Sequence, residues 1–158
     1  MSRRDQIRMT DPELRSFLAE QQTIIINSID PRGFPHPMPM WFAVEDDGCV
    51  VMTTFTKSQK IRNIERDARV SLLVEDGTVY AQLRGAVIYG KAELVREHER
   101  VLDILAKVTA KNAGGGGNAP DPGALRKALM ATVPKRTGIR IRPDKIVSWD
   151  HRKLGGVY

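Results

Sequence analysis

The chain carries little of the equipment for covalent or metal chemistry. Its 158 residues include a single cysteine, Cys49, and three histidines, His36, His98 and His151. One thiol cannot close an internal disulfide, and Cys49, in a strand-like run after Asp46-Asp47-Gly48, reads as inert. The histidines lie far apart with no carboxylate spacing to join them, so no metal site is expected. The Gly-x-Ser-x-Gly elbow of hydrolases is missing, and so is a Gly-x-Gly-x-x-Gly turn after a strand. No side chain is therefore expected to act as a catalytic nucleophile. The glycine run at 114–117 lacks the Lys-Ser/Thr of a phosphate-binding P-loop, and 113–121 reads as a flexible linker.

Two further scarcities concern partners. Aromatic residues make up 6% of the chain, and Trp41, Phe42, Phe55 and Tyr80 do not form the spaced platform that stacks bases. This weighs against a basic nucleic-acid-binding barrel, the reading that a net charge of +6 would otherwise suggest. No apolar run approaches the roughly 18–20 residues of a membrane span. No apolar stretch follows the basic start Met1-Ser2-Arg3-Arg4-Asp5, so a secretory signal is not expected. The expectation is a cytoplasmic protein without membrane or nucleic-acid partners.

What is present is a 41% hydrophobic, 28% charged chain, enough for one soluble domain with a core. Residues 1–10 are expected to be mobile. A helix is expected from Asp11 to about Glu20, capped by Thr10 or Asp11, with Pro12 in its first turn. Thr23–Ile29 reads as a strand and Asp30-Pro31-Arg32-Gly33 as a turn. Pro35–Glu45 alternates, with prolines on one face, which confines its early part to a sheet edge or a bulge. Asp46-Asp47-Gly48 is a hairpin turn leading to a strand over Cys49–Thr54. A helix through Ile61, Ile64 and Glu65 follows. Arg69–Glu75 reads as a strand, Asp76-Gly77 as a hairpin turn, and Val79–Gly90 as a long strand. Helices are expected over Arg96–Lys111 and Asp121–Ala131, and a last strand over Thr137–Trp149 with a break at Pro143. Consecutive hairpins predict an antiparallel sheet, and at this length closure into a barrel removes its edges.

The segment Thr53-Thr54-Phe55-Thr56-Lys57-Ser58-Gln59-Lys60-Ile61-Arg62-Asn63 carries the chemistry. Hydroxyls and cations meet where a strand ends and a helix starts, which suits a phosphate or polycarboxylate. Lys57, Lys60 and Asn63 are spaced three apart and project along one side. The cations cluster: Lys57, Lys60, Arg62, Arg66 and Arg69 face only Glu65 and Asp67, and seven more lie between residues 135 and 153. Such clustering raises the local concentration of anionic partners.

The pattern Gly33-Phe34-Pro35-His36-Pro37-Met38-Pro39-Met40-Trp41-Phe42, then Val51-Met52-Thr53-Thr54, then Lys57 to Leu72, resembles the pyridoxamine 5′-phosphate oxidase-like superfamily. The ending Val147-Ser148-Trp149-Asp150-His151-Arg152-Lys153-Leu154 is similar to its deazaflavin-dependent branch, which uses coenzyme F420. The resemblance implies a mainly β fold with flanking helices, an antiparallel split β-barrel of the FMN-binding kind. It further implies a homodimer with two flavin-type sites at the interface and hydride transfer to a small organic acceptor. On this resemblance Thr53, Thr54, Lys57, Ser58 and Lys60 surround the cofactor phosphate, while Arg62 and Asn63 support that loop or reach the cofactor tail. Pro39, Met40 and Trp41 lie near the ring, Met52 belongs to the same motif, and Trp149 and His151 come from the neighbourhood of the second chain. The expected cofactor is F420, with FMN as the alternative. The further C-terminal basic motif of true pyridoxamine-phosphate oxidases has no counterpart here.

Overall fold

The structure is a computed structural model, and it describes residues 2–113 and 121–156. Five helices flank one sheet: α1 (Arg3–Ile7), α2 (Asp11–Glu20), α3 (Gln59–Arg66), α4 (His98–Ala113) and α5 (Pro122–Met130). The seven strands are β1 (Thr23–Ile29), β2 (Pro35–Trp41), β3 (Ala43–Val44), β4 (Val50–Phe55), β5 (Arg69–Asp76), β6 (Arg84–Val95) and β7 (Arg136–Asp150). They run in the order β2-β1-β5-β6-β7-β4-β3, antiparallel throughout. The outermost strands, β2 and β3, are separated in the chain by Phe42 alone. A sheet whose two edges are one residue apart must curl until they meet, and this makes the barrel.

The proline strand sits where its chemistry requires. Pro35, Pro37 and Pro39 alternate along β2, so their missing N–H groups fall on one side, and β2 is an edge strand paired only with β1. The even residues of β1, β5 and β6 point inward, with Ile24, Ile26, Leu72, Val74, Ala86 and Ile88 all buried. On β7 the inward set changes parity, from Ile146 and Ser148 to Ile139 and Ile141. A bulge makes the change: Tyr89 pairs with Lys145 and Gly90 with Pro143, leaving Asp144 as the extra residue. Without it a one-residue slip would turn half of β7 inside out. The expected break at Pro143 is this bulge. Phe17 and Leu18 of α2 and Ile61 and Ile64 of α3 close the core. The outer face of β4 is covered as well, Val51 packing with Ala43 of β3 and Ile104 and Val108 of α4.

One sequence expectation is corrected. Residues 79–83 are not strand: Tyr80–Gln82 form a 3-10 turn, and β6 starts at Arg84 and runs on to Val95. Tyr80 and Val79 are exposed there, which a paired strand with a core face would not allow. Asp76-Gly77 therefore opens a longer connection rather than a two-residue turn. Residues 2–10, expected to be mobile, are folded against the domain. Ser2 and Asp5 cap α1 reciprocally, Met9 is buried, and the Met9 N–H donates to Ser148 Oγ at 3.2 Å. The expected linker lies, apart from Ala113 and Asp121, outside the described residues.

Lys111 locks the seam. Its Nζ donates to the carbonyls of Leu18 (2.9 Å) and Gln21 (2.7 Å), at the end of α2, where no basic residue of the helix itself serves the last turn. The same ammonium lies 3.5 Å from the centroid of the buried Phe42 ring. Burial holds its pKa down to about 8, so the charged form still dominates at neutral pH. Lys111→Met keeps the stem but removes both hydrogen bonds and the ring contact. It should lower the unfolding free energy by about 1–3 kcal/mol in urea titrations; an unchanged midpoint would show that the seam does not depend on this lysine.

Candidate functional site

β4 leaves the sheet at Phe55, and α3 begins at Gln59, after three connecting residues. Ser58 is the N-cap of α3, but its hydroxyl makes no capping bond to the first turn. Ile61 and Ile64 turn one side of the helix into the core. Asn63, wholly buried, ties the helix to β1 by donating from Nδ2 to Ser28 Oγ at 3.0 Å. Its Oδ1 accepts from Gln59 Nε2 at 2.9 Å. These contacts fix the start of α3 against the end of β4.

Into this corner comes Lys60. It is only 7% exposed, and its Nζ donates to Thr54 Oγ1 at 3.0 Å. No carboxylate lies within ion-pair distance among the described residues. Burial alone pushes its pKa below the usual lysine value, with no opposing charge to hold it up. A buried ammonium with one neutral partner is costly in the free protein. Thr54 Oγ1 in turn reaches Ser58 Oγ at 3.5 Å. The corner thus holds an unpaired cation, two hydroxyls and the uncapped N–H groups of a helix start, the donor set of an anion site.

Strand alternation divides the expected residues. Thr54 faces inward with Val50 and Met52, whereas Thr53 faces the α4 side with Val51. Their hydroxyls therefore serve different sides of β4. Thr53 meets Arg136, the first residue of β7, whose Nη1 lies 3.5 Å from Thr53 Oγ1. Arg136 pairs across the ladder with Phe55 and lays its guanidinium 4.9 Å from that ring. Thr137 Oγ1 shares a 2.9 Å hydrogen bond with Thr56 Oγ1. Sequence reasoning missed Arg136 and Thr137 as neighbours of the loop. Only strand register could reveal them, since about 80 residues of chain intervene.

The other expected residues fall into three groups. Lys57 and Arg62 are exposed beside the corner and make no ion pair. Met52 and Asn63 have no exposed surface, so Met52 belongs to the core and Asn63 supports the loop without presenting its side chain to a ligand. Pro39 and Trp41 are exposed, Trp41 to 56%, and Met40 packs on the core. Trp149 lies over Gly85 of β6, where an added Cβ would stand 2.4 Å from the indole, so only glycine admits the ring. His151 is held by Nδ1 at 3.0 Å from the Tyr80 carbonyl and by a tilted contact with the Tyr80 ring, centroids 4.7 Å apart. Trp41 on β2 and Trp149 on β7 have β1, β5 and β6 between them in the curled sheet. Among the described residues no group of His, Cys, Asp and Glu could hold a metal ion, and no helix is long and apolar enough to cross a membrane.

The family model of pyridoxamine 5′-phosphate oxidase matches residues 10–150. The chain belongs to this family. The matched span takes in the Lys60 corner, Arg136 and Trp149, and it ends just before His151. Among solved structures, a conserved hypothetical protein from Mycobacterium tuberculosis is 36% identical with a TM-score of 0.87, over 100% of this chain and 95% of that one. An F420 reductase is 24% identical (TM-score 0.63, 84% of this chain and 94% of that one). A FAD-binding protein from Mesorhizobium loti is 16% identical (TM-score 0.64, 89% and 94%). These last two establish a common split-barrel fold. No curated protein matches the chain. Family membership supports an oxidoreductase role in general terms and a flavin-type cofactor.

The Lys60 corner leads to a stability prediction. Lys60→Met removes an unpaired buried charge while keeping most of the side-chain volume, so the free protein should become more stable by about 1 kcal/mol or more in chemical denaturation. Loss of stability instead would mark Lys60 as a structural residue.

Proposed function

We propose that this protein is an oxidoreductase that holds coenzyme F420 by its phosphate at the Lys60 corner and works as a homodimer. The observation that carries the reading is Lys60 itself, a buried ammonium whose one partner is the Thr54 hydroxyl. A ligand phosphate there would supply the missing counter-charge, with Ser58 Oγ and the first N–H groups of α3 as further donors. When bound, such a cofactor supplies the hydride chemistry, and the chain needs no nucleophile of its own. The residues' task is to seat the phosphate and shield the ring from water. Trp41 and Pro39, exposed on the edge strand, and Met40 behind them offer an apolar surface for a planar ring.

The same corner would take the terminal phosphate of FMN. F420 is favoured by the surplus of positive charge around it. Lys57, Arg62, Lys135 and Arg136 all lack ion pairs among the described residues, which suits a phosphodiester followed by glutamate carboxylates. Titration of the purified protein with F420 and with FMN decides between them. Tight F420 binding is expected, and Lys60→Met should weaken it by about 1–3 kcal/mol, the scale of a charge-assisted hydrogen bond. Tight FMN binding without F420 affinity would overturn the assignment.

The homodimer is supported by the outer face of the sheet. Pro39, Ile25, Leu73, Val87 and Val147 align across β2, β1, β5, β6 and β7 into one cross-strand row, and all are at least partly exposed. Trp41 and Trp149 flank the row at opposite ends. An apolar stripe of this extent on one chain supports an interface there. It would also let two tryptophans whose strands have three others between them border one ring, one from each chain. Leu73→Glu should shift the protein from dimer to monomer in sedimentation and reduce cofactor affinity in parallel. A monomeric wild-type protein would remove the dimer from the proposal.

A further inference from the structure

We propose that Arg136, with Thr53 and Phe55, forms a carboxylate subsite on the face of β4 opposite Lys60. Arg136 stands apart from the other arginines. Five arginines are half-buried among the described residues: Arg84, Arg100, Arg126, Arg136 and Arg140. Four of them hold carboxylates: Arg84 with Asp76 and Glu20, Arg100 with Glu45, Arg126 with Asp103 and Glu99, and Arg140 with Glu45 and Asp47. Arg136 holds none. Its Nε is shut off from water and has no acceptor, and Nη1 reaches only the Thr53 hydroxyl at 3.5 Å. A donor left in that state costs free energy that a ligand oxygen would recover once the guanidinium swings off the Phe55 ring. The ring, 60% exposed, leaves room for that movement.

The geometry selects the ligand class. Nη1 is turned to Thr53, so Nε and Nη2 are the donors left without an acceptor, and once the guanidinium moves off the ring they form two parallel donors that match the two oxygens of a carboxylate. Lys57 and Lys135, exposed on the adjoining segments, add positive charge, and from residue 53 to 64 and from 131 to 143 the chain has no acidic residue. Thr53 and Thr54 are chain neighbours that point to opposite sides of β4. An anion held by Lys60 and a carboxylate held by Arg136 are thus one residue apart along the strand. This rests on the reading of Lys60 as a phosphate subsite. The carboxylate could come from the glutamate tail of the cofactor or from an acidic hydride acceptor.

The test uses the full chain with Arg136→Gln and Arg136→Lys, titrated with F420, with its glutamate-free precursor, with FMN, and with benzoate added to the cofactor-loaded protein. If the tail is the source, Arg136→Gln weakens F420 about tenfold or more and leaves the precursor within about twofold, with Arg136→Lys intermediate because it keeps charge without the fork. If the acceptor is the source, both cofactor forms bind the variant as before and benzoate binding is lost. A change in the Arg136 Nε–H resonance on adding γ-linked triglutamate or benzoate to the free protein supports the subsite without any cofactor. It therefore decides the case even if wild-type protein binds neither F420 nor FMN, a result that would overturn the cofactor reading alone. Arg136→Gln behaving as wild type throughout, or weakening F420, the precursor and FMN equally, overturns the carboxylate subsite.

Discussion

The structure depends on one residue, Phe42, staying buried where the two edges of the sheet meet. β2 can give hydrogen bonds on one side only, because its prolines lack donors on the other. β3 is two residues long and pairs only Ala43 with Val51 and Val44 with Val50. Neither strand could hold the barrel shut by backbone bonding. Closure falls instead to side chains: Phe42 inside, Leu18 and Phe17 of α2 beside it, and the Lys111 ammonium across the ring and the α2 carbonyls. Because β3 is so short, Thr53–Phe55 of β4 have no strand on that edge. The candidate site lies along this unpaired edge, so the weakness of the seam and the opening for a ligand have one cause.

Charge is distributed by the same division. Away from the edge the half-buried arginines are paired, as in the Arg140 cluster with Glu45 and Asp47, and so is Arg152 with Asp150 on the last turn. Those pairs hold carboxylates below their usual pKa, Asp150 through the hydrogen bonds from Arg152 and Glu45 through those from Arg140 and Arg100, which outweigh its burial. Around β4 and α3 the cations have no such partners, and burial lowers the Lys60 pKa unopposed. A chain selected only for stability would place acids here or dispense with Lys60.

Much of this was legible in the sequence, and the misses have physical causes. Period-two alternation with prolines located β2 at an edge, and caps and heptad-like spacing located α2 and α4 to within two residues. The turn at 79–83 was misread because Val79 and Ala81 continue an alternation that the backbone does not follow. Alternation reports which residues are apolar, whereas pairing also requires a partner in register. At the site, Lys60 and Ser58 were visible because a helix start follows directly on hydroxyls and cations. Met52 was included by adjacency within a motif, but a strand sends neighbours to opposite faces, and Met52 faces the core. Arg136 was unreadable as a neighbour of Thr53, since the β4–β7 pairing is set by the whole barrel.

The position of Trp149 shows how far the scaffold reaches into the site. Gly85 admits the indole because it lacks a Cβ, and Gly90, five residues on, admits the bulged strand at Arg142, where a Cβ would stand 2.3 Å from the carbonyl oxygen. Both glycines lie on β6 and both concern β7, so β6 shapes its neighbour twice: once to hold the inward parity and once to lay an aromatic ring flat on the outer face. On the dimeric reading that ring borders the partner's cofactor. The parity change is what permits this. If β7 kept one register along its length, matching Ile139 and Ile141 to the core would turn Trp149 inward, and the outer face would lose it. One extra residue, Asp144, therefore couples the packing of one end of the strand to the outer face at the other.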